Sequence, residues 1–209
     1  MAGTKRVYAP KKSQVSQKKA NYVNTYTKRL FTQKPLYPLG RQFKTSMRYV
    51  ESIVLNSGTT TSHYSWKANS LFDPNDTGVG HQPLGFDQII PFWGKYQVTS
   101  AAIRVNFFNM DTAQRTVYAG IKVSDINIPT FDARTDIERG HTKYQMLTNI
   151  NGTKNHCQLT HYVDIGKFLG ITDVNDDERL KGTASTSPSE GVYFHVFSEP
   201  TRTGAPEEC

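Results

Sequence analysis

Residues 115–124 read Arg-Thr-Val-Tyr-Ala-Gly-Ile-Lys-Val-Ser, with Val117, Ala119, Ile121 and Val123 on every second position. Successive side chains of a strand point to opposite faces, so this spacing predicts a β-strand with one apolar face. Further strands are expected on either side. Residues 63–69 alternate Tyr64, Trp66 and Ala68 against His63, Ser65 and Lys67, and residues 96–109 carry Ile103, Val105 and Phe107 on one face. The second alternation slips at Ala101-Ala102, which predicts a bulge there. A first strand over 49–55, with Ile53 and Leu55 inward, a weaker one over 141–150 and a better one over 157–163 complete the pattern. Residues 192–197 are apolar on both faces, as in a central or interface strand. A helical turn over 164–169 should end at Gly170. Seven strands and no helix of ordinary length predict an all-β, antiparallel sandwich of Greek-key type, and the lack of helical repeats between strands argues against a parallel α/β sheet.

The charge of the chain is split. None of the first fifty residues is acidic, yet twelve are basic: Lys5, Arg6, Lys11, Lys12, Lys18, Lys19, Lys28, Arg29, Lys34, Arg41, Lys44 and Arg48. The other 159 positions carry 13 basic and 18 acidic residues, so a leader of +12 precedes a body of −5. The part expected to be disordered alone is residues 1–45, which hold eleven of the twelve and have too few aliphatic side chains to offset their ordering entropy. Its natural partner is a polyanion held by counterion release. Tyr8, Tyr22, Tyr26, Phe31, Tyr37 and Phe43 interleave the charges. They offer flat faces to unstacked bases, which single strands expose and duplexes hide. The pairs among Lys5, Arg6, Lys11, Lys12, Lys18 and Lys19 also read as a nuclear import signal for host import receptors. Residues 46–209 are enough for one domain with its own core.

Other classes of function find little support. No apolar run is long enough to span a bilayer, and the amino end has no apolar signal core, so no membrane insertion is expected. The body has no Gly-x-Ser-x-Gly, His-Glu-x-x-His or phosphate-loop motif, and neither enzyme activity nor a cofactor is expected. The Asp73–Gly78 turn fails as a calcium loop, because Leu84 stands where the bidentate Glu belongs. His156 and Cys157 face opposite ways on a strand, which argues against a metal site with His161.

One loop goes further. Asn69, Asp73, Pro74, Thr77, Gly78, Gly80, His81, Gln82, Pro83, Gly85, Phe86, Asp87 and Gln88 fall in the pattern Asn-x-x-x-Asp-Pro-x-x-Thr-Gly-x-Gly-His-Gln-Pro-x-Gly-Phe-Asp-Gln. This stretch resembles the signature loop of capsid proteins from circovirus-like, Rep-encoding circular single-stranded DNA (CRESS-DNA) viruses. The resemblance implies a single jelly roll that self-assembles into an icosahedral shell. Its arm would face a circular single-stranded DNA genome, in the virion and, during assembly, in the host nucleus, and a host attachment receptor would be a further partner. Such a jelly roll has eight strands, and residues 199–209 carry nothing strand-like, so the closing strand is expected to be absent or supplied from elsewhere. Within the loop, Asp73-Pro74 and Asn75-Asp76 should form turns, Gly78, Gly80 and Gly85 should allow positive φ, and Leu84 and Phe86 should tuck against the body. His81 either titrates on acidification or bonds its own loop. Charge alone does not tell DNA from RNA, so a small RNA virus coat protein and a non-capsid single-strand-binding protein are the alternatives.

Overall fold

The computed structural model describes residues 40–57, 60–110, 115–127, 132–149 and 154–201. The chain divides into a unit Met1–Phe43 and a unit Lys44–Cys209. Eight strands lie in the second: β1 Ser62–Lys67, β2 Lys95–Gln97, β3 Ser100–Phe108, β4 Thr116–Ser124, β5 Thr142–Thr148, β6 His156–Asp164, β7 Lys181–Thr183 and β8 Tyr193–Pro200. Among the described residues three α-helices accompany them, α1 Phe86–Ile89, α2 Ala133–Glu138 and α3 Ile165–Leu169, with three short 3-10 turns. All the ladders are antiparallel: a four-stranded sheet in the order β1-β8-β4-β5, and two pairs, β2-β7 and β3-β6.

The alternation in β4 has the consequence expected of it. Val117, Ala119, Ile121 and Val123 are all buried, and across the ladders they meet Leu147 of β5 and Val196 and Phe194 of β8. Phe107, Val163 and Ile165 belong to the same cluster, with Ile103, Val105 and Leu159 packed against it, so β3-β6 and α3 cover this face of the four-stranded sheet. Each fully buried Ile, Leu or Val contributes about 1.5–3 kcal/mol through the water it sheds. The helical turn forms where expected. Asp164 caps α3 by accepting from the Lys167 N–H at 3.1 Å, and Gly170 closes it at φ 70°.

Several expectations are corrected. Residues 49–55 form no strand; Tyr49 and Glu51 bond to side chains, as described below, and not to a ladder. The stretch 96–109 is two strands, because β2 pairs with β7 while β3 pairs with β6, and the chain changes partner at Val98-Thr99. No bulge sits at Ala101-Ala102, since the register from Ser100↔Asp164 to Phe108↔His156 is unbroken. Strand β7 and helix α2 carry no alternation or length that the sequence pattern could register. Residues Glu199 and Pro200, expected to be outside any strand, pair with Tyr118 and Val117. The strand that they close, β8, is interior, with β1 on one side and β4 on the other.

Candidate functional site

The loop over 69–88 is held by hydrogen bonds from its first residue onward. Asn69 is buried; its Nδ2 donates to the Glu190 carbonyl at 2.7 Å and its Oδ1 accepts from the Val192 N–H at 3.1 Å, tying the end of β1 to the approach of β8. The Tyr96 hydroxyl accepts from the N–H groups of Leu71 and Phe72, both at 3.2 Å. Asp73 reaches back to Lys67 at 3.2 Å, and Asp76 lies 3.6 Å from the same ammonium. The backbone follows, with the Lys67 N–H on the Pro74 carbonyl at 2.8 Å.

Asn75 is the centre of the loop. It is fully buried, and its Nδ2 donates to Glu51 Oε1 at 3.0 Å and to the Tyr64 hydroxyl at 2.8 Å. Its Oδ1 accepts from the Thr77 N–H and hydroxyl at 2.9 and 2.7 Å, the side-chain to backbone turn expected of Asn-Asp. Glu51 also accepts from Trp66 Nε1 at 3.0 Å and from the Tyr49 hydroxyl at 2.9 Å, so one carboxylate clasps segment, strand and loop together. Burial, reinforced by the Glu51 carboxylate, pushes the Tyr49 phenol up to about 12. Gly80 is needed for space, because a Cβ there would stand 2.6 Å from both Asn75 Cβ and the Tyr49 hydroxyl.

The remaining loop residues divide. Gly78 and Gly85 have the expected positive φ, 72° and 91°, whereas Gly80 does not. Phe86 is buried and meets Tyr96 edge-to-face at 5.3 Å, but Leu84 is 94% exposed, contrary to the expected tuck. Pro83 is buried, while Asp87 and Gln88 are exposed on α1. The ring nitrogens of His81 lie 3.0 Å from the Gln82 carbonyl and 3.1 Å from the Val50 carbonyl, so the imidazole bonds its own loop and the neighbouring segment. Thr77 is exposed at its turn.

Of the basic residues, Arg41, Lys44 and Arg48 are exposed. Lys5, Arg6, Lys11, Lys12, Lys18, Lys19, Lys28, Arg29 and Lys34 lie outside the described residues. His156 stacks with Phe108 on the outer side of β3-β6 while Cys157 packs towards the core, and among the described residues no three His, Cys, Asp or Glu side chains are grouped to hold a metal. No described helix is long and apolar enough to cross a membrane.

A second polar constellation, which the sequence pattern did not reveal, lies on the far face of the four-stranded sheet. His195 is fully buried, with Nδ1 2.6 Å from Ser65 Oγ and Nε2 3.0 Å from the Ile126 carbonyl. A carbonyl only accepts, so we assign the hydrogen to Nε2, and the serine hydroxyl then donates to Nδ1. Burial pushes this imidazole down to about 4, helped by His63 and Lys122 and opposed by the Ile126 hydrogen bond and Asp136. Lys122, opposite His195 in the ladder, pairs with Asp136 of α2 at 2.6 Å. Asp136 Oδ2 is buried without a hydrogen-bond partner among the described residues. The signal was present in the paired His195 and Lys122, but nothing local showed that α2 would cover them.

Among the described residues, shallow clefts of about 150 Å³ and about 330 Å³ open beside His63 and Thr77 and beside His141 and Phe168. No family model matches this sequence, and no curated protein or solved structure matches it either.

Proposed function

We propose that this chain is a viral coat subunit that self-assembles into an icosahedral shell and packages circular single-stranded DNA through its basic leader. The observation that carries the reading is the joint presence, in one chain, of the signature loop at 69–88 and twelve uncompensated basic residues ahead of a net-acidic body. The hydrogen-bonded build of that loop supports it, because a contact surface repeated around a closed shell has to keep its shape in every copy. The sheet order β1-β8-β4-β5, with the first and last strands adjacent, is compatible with the jelly roll that this reading implies.

Electron microscopy of the purified chain, with sequencing of nuclease-protected nucleic acid, tests the proposal. Closed particles holding circular single-stranded DNA are the expected result. Particles holding RNA would favour the RNA-virus reading, and nucleic acid bound without particles would favour a non-capsid binding protein. A solitary chain that copurifies with no nucleic acid would end the proposal. Replacing Lys11, Lys12, Lys18 and Lys19 by Gln should flatten the log–log salt dependence of single-strand affinity by about 0.7 for each phosphate that is no longer neutralised.

A further inference from the structure

The outer side of β3-β6 differs in composition from the rest of the body. Side chains at alternate positions form five cross-strand rows: Ser100 with Asp164, Ala102 with Tyr162, Arg104 with Thr160, Asn106 with Gln158 and Phe108 with His156. The second and the fifth carry exposed aromatics. Phe108 is 69% exposed and lies nearly parallel to the His156 ring, at 22° and 6.2 Å between centroids, while Tyr162 is 59% exposed. Between them the Gln158 amide donates to Asn106 Oδ1 at 2.7 Å, and Arg104 is exposed without an ion pair among the described residues.

This face is poor in anionic groups. Asp164, in the row beyond Tyr162, is the one Asp or Glu of β3 and β6, and its carboxylate caps α3 and lies 3.9 Å from the Lys167 ammonium, although the body after residue 50 is net acidic. Lys143 adds a cation at the margin, its ammonium donating to the Thr160 carbonyl at 2.8 Å, and Lys154 is exposed at the turn before β6. Between Phe108 and Tyr162 a polyanion therefore meets no carboxylate of either strand. Six residues of strand separate the two aromatic rows, about 20 Å, which is long enough to seat several nucleotides.

We propose that this outer face is a second contact for single-stranded nucleic acid, on the body and independent of the leader. Bases would stack on Phe108 with His156 and on Tyr162, and Arg104 would take a phosphate between the two stations. This rests on the reading of single-stranded nucleic acid as the partner. It adds to that reading a place where bases, and not only phosphates, are gripped.

The test uses the full chain with a twenty-residue oligothymidylate and an abasic oligomer of equal length, at a salt concentration that weakens the leader's contacts. The Phe108→Ala/Tyr162→Ala variant should bind the thymidylate about 10-fold to 100-fold more weakly and the abasic oligomer unchanged, since base–aromatic stacking contributes about 1–3 kcal/mol per base. Photocrosslinks from the thymidylate should fall on peptides covering 100–110 and 156–163. Phe108→Leu, which keeps the apolar surface without the aromatic ring, should show part of the same base-dependent loss with an unchanged circular dichroism spectrum. Unchanged thymidylate affinity in all variants would overturn the proposal, as would a double variant that loses particle assembly while retaining affinity, because the face would then belong to a second copy. Wild-type protein that binds neither oligomer would instead remove the function proposed above.

Discussion

The two faces of the four-stranded sheet are built from the same strands and each buries side chains at its centre, yet the buried groups differ in chemistry. On one, Ile121, Val123, Phe194 and Val196 meet Leu147 and the β3-β6 layer through apolar contact alone. On the other, Lys122, Ser124 and His195 are buried as well, under Ile126 and α2, and hold their positions by hydrogen bonds and one ion pair. Hydrocarbon packing is indifferent to pH, whereas a buried imidazole and a buried ion pair depend on which protons are bound. The apolar face therefore sets the baseline stability of the body, and the polar face sets how that stability responds to acid.

The largest effect is expected where the difference is sharpest. Asp136→Ala leaves the Lys122 ammonium buried without its carboxylate and should destabilise the body by about 3–5 kcal/mol, while Lys122→Met/Asp136→Leu should recover most of the loss. Urea midpoints of the three proteins decide the matter, and a single variant no worse than the double would show the pair to be solvated.

The pH response comes next. The folded His195 binds its proton only near pH 4 against an ordinary value of 6.5, so between these values the unfolded chain holds more protons. The contribution of His195 is complete above about pH 6.5, falls as the pH drops towards 4, and changes no further below it; its full loss is on the order of 3 kcal/mol. Burial lowers His63 and His161 too, so they act in the same direction. His195→Gln should flatten the fall in thermal midpoint between pH 6.5 and 4, and an unaltered slope would assign it elsewhere.

Gly120→Ala probes the far face by crowding. A Cβ there would stand 2.5 Å from the Phe197 ring and 3.0 Å from the Lys143 carbonyl, and pushing the ring aside should destabilise by about 2 kcal/mol in denaturant titration. The smallest effect is on the apolar face. Ile121→Val removes one methyl group and should lower stability by about 1 kcal/mol, equally at pH 7 and pH 5. A loss that grows on acidification would break the contrast between the faces.

Much of this architecture was legible in the chain itself. The alternation in 115–124 identified β4 and its apolar face, and of the central and interface strands that the double-sided apolar run in 192–197 allowed, the fold has the first. Asp164 and Gly170 bounded α3 through capping chemistry that needs no distant partner. In the signature loop, the pattern named Asn69, Phe86 and the glycines but passed over Asn75, the residue with the most partners. Its importance comes from Glu51 and Tyr64, 24 and 11 positions away.

The sequence by itself determined the strand periods, the split between a cationic leader and an acidic body, and the turn chemistry of the loop, because each follows from neighbouring residues. Tertiary structure decided the rest: that 49–51 is a clasp and not a strand, that the chain changes partner between β2 and β3, and that Lys122 and His195 lie beneath α2. Pairing and burial are relations between segments far apart in the chain, and local periodicity shows which way a side chain points but not what comes to cover it.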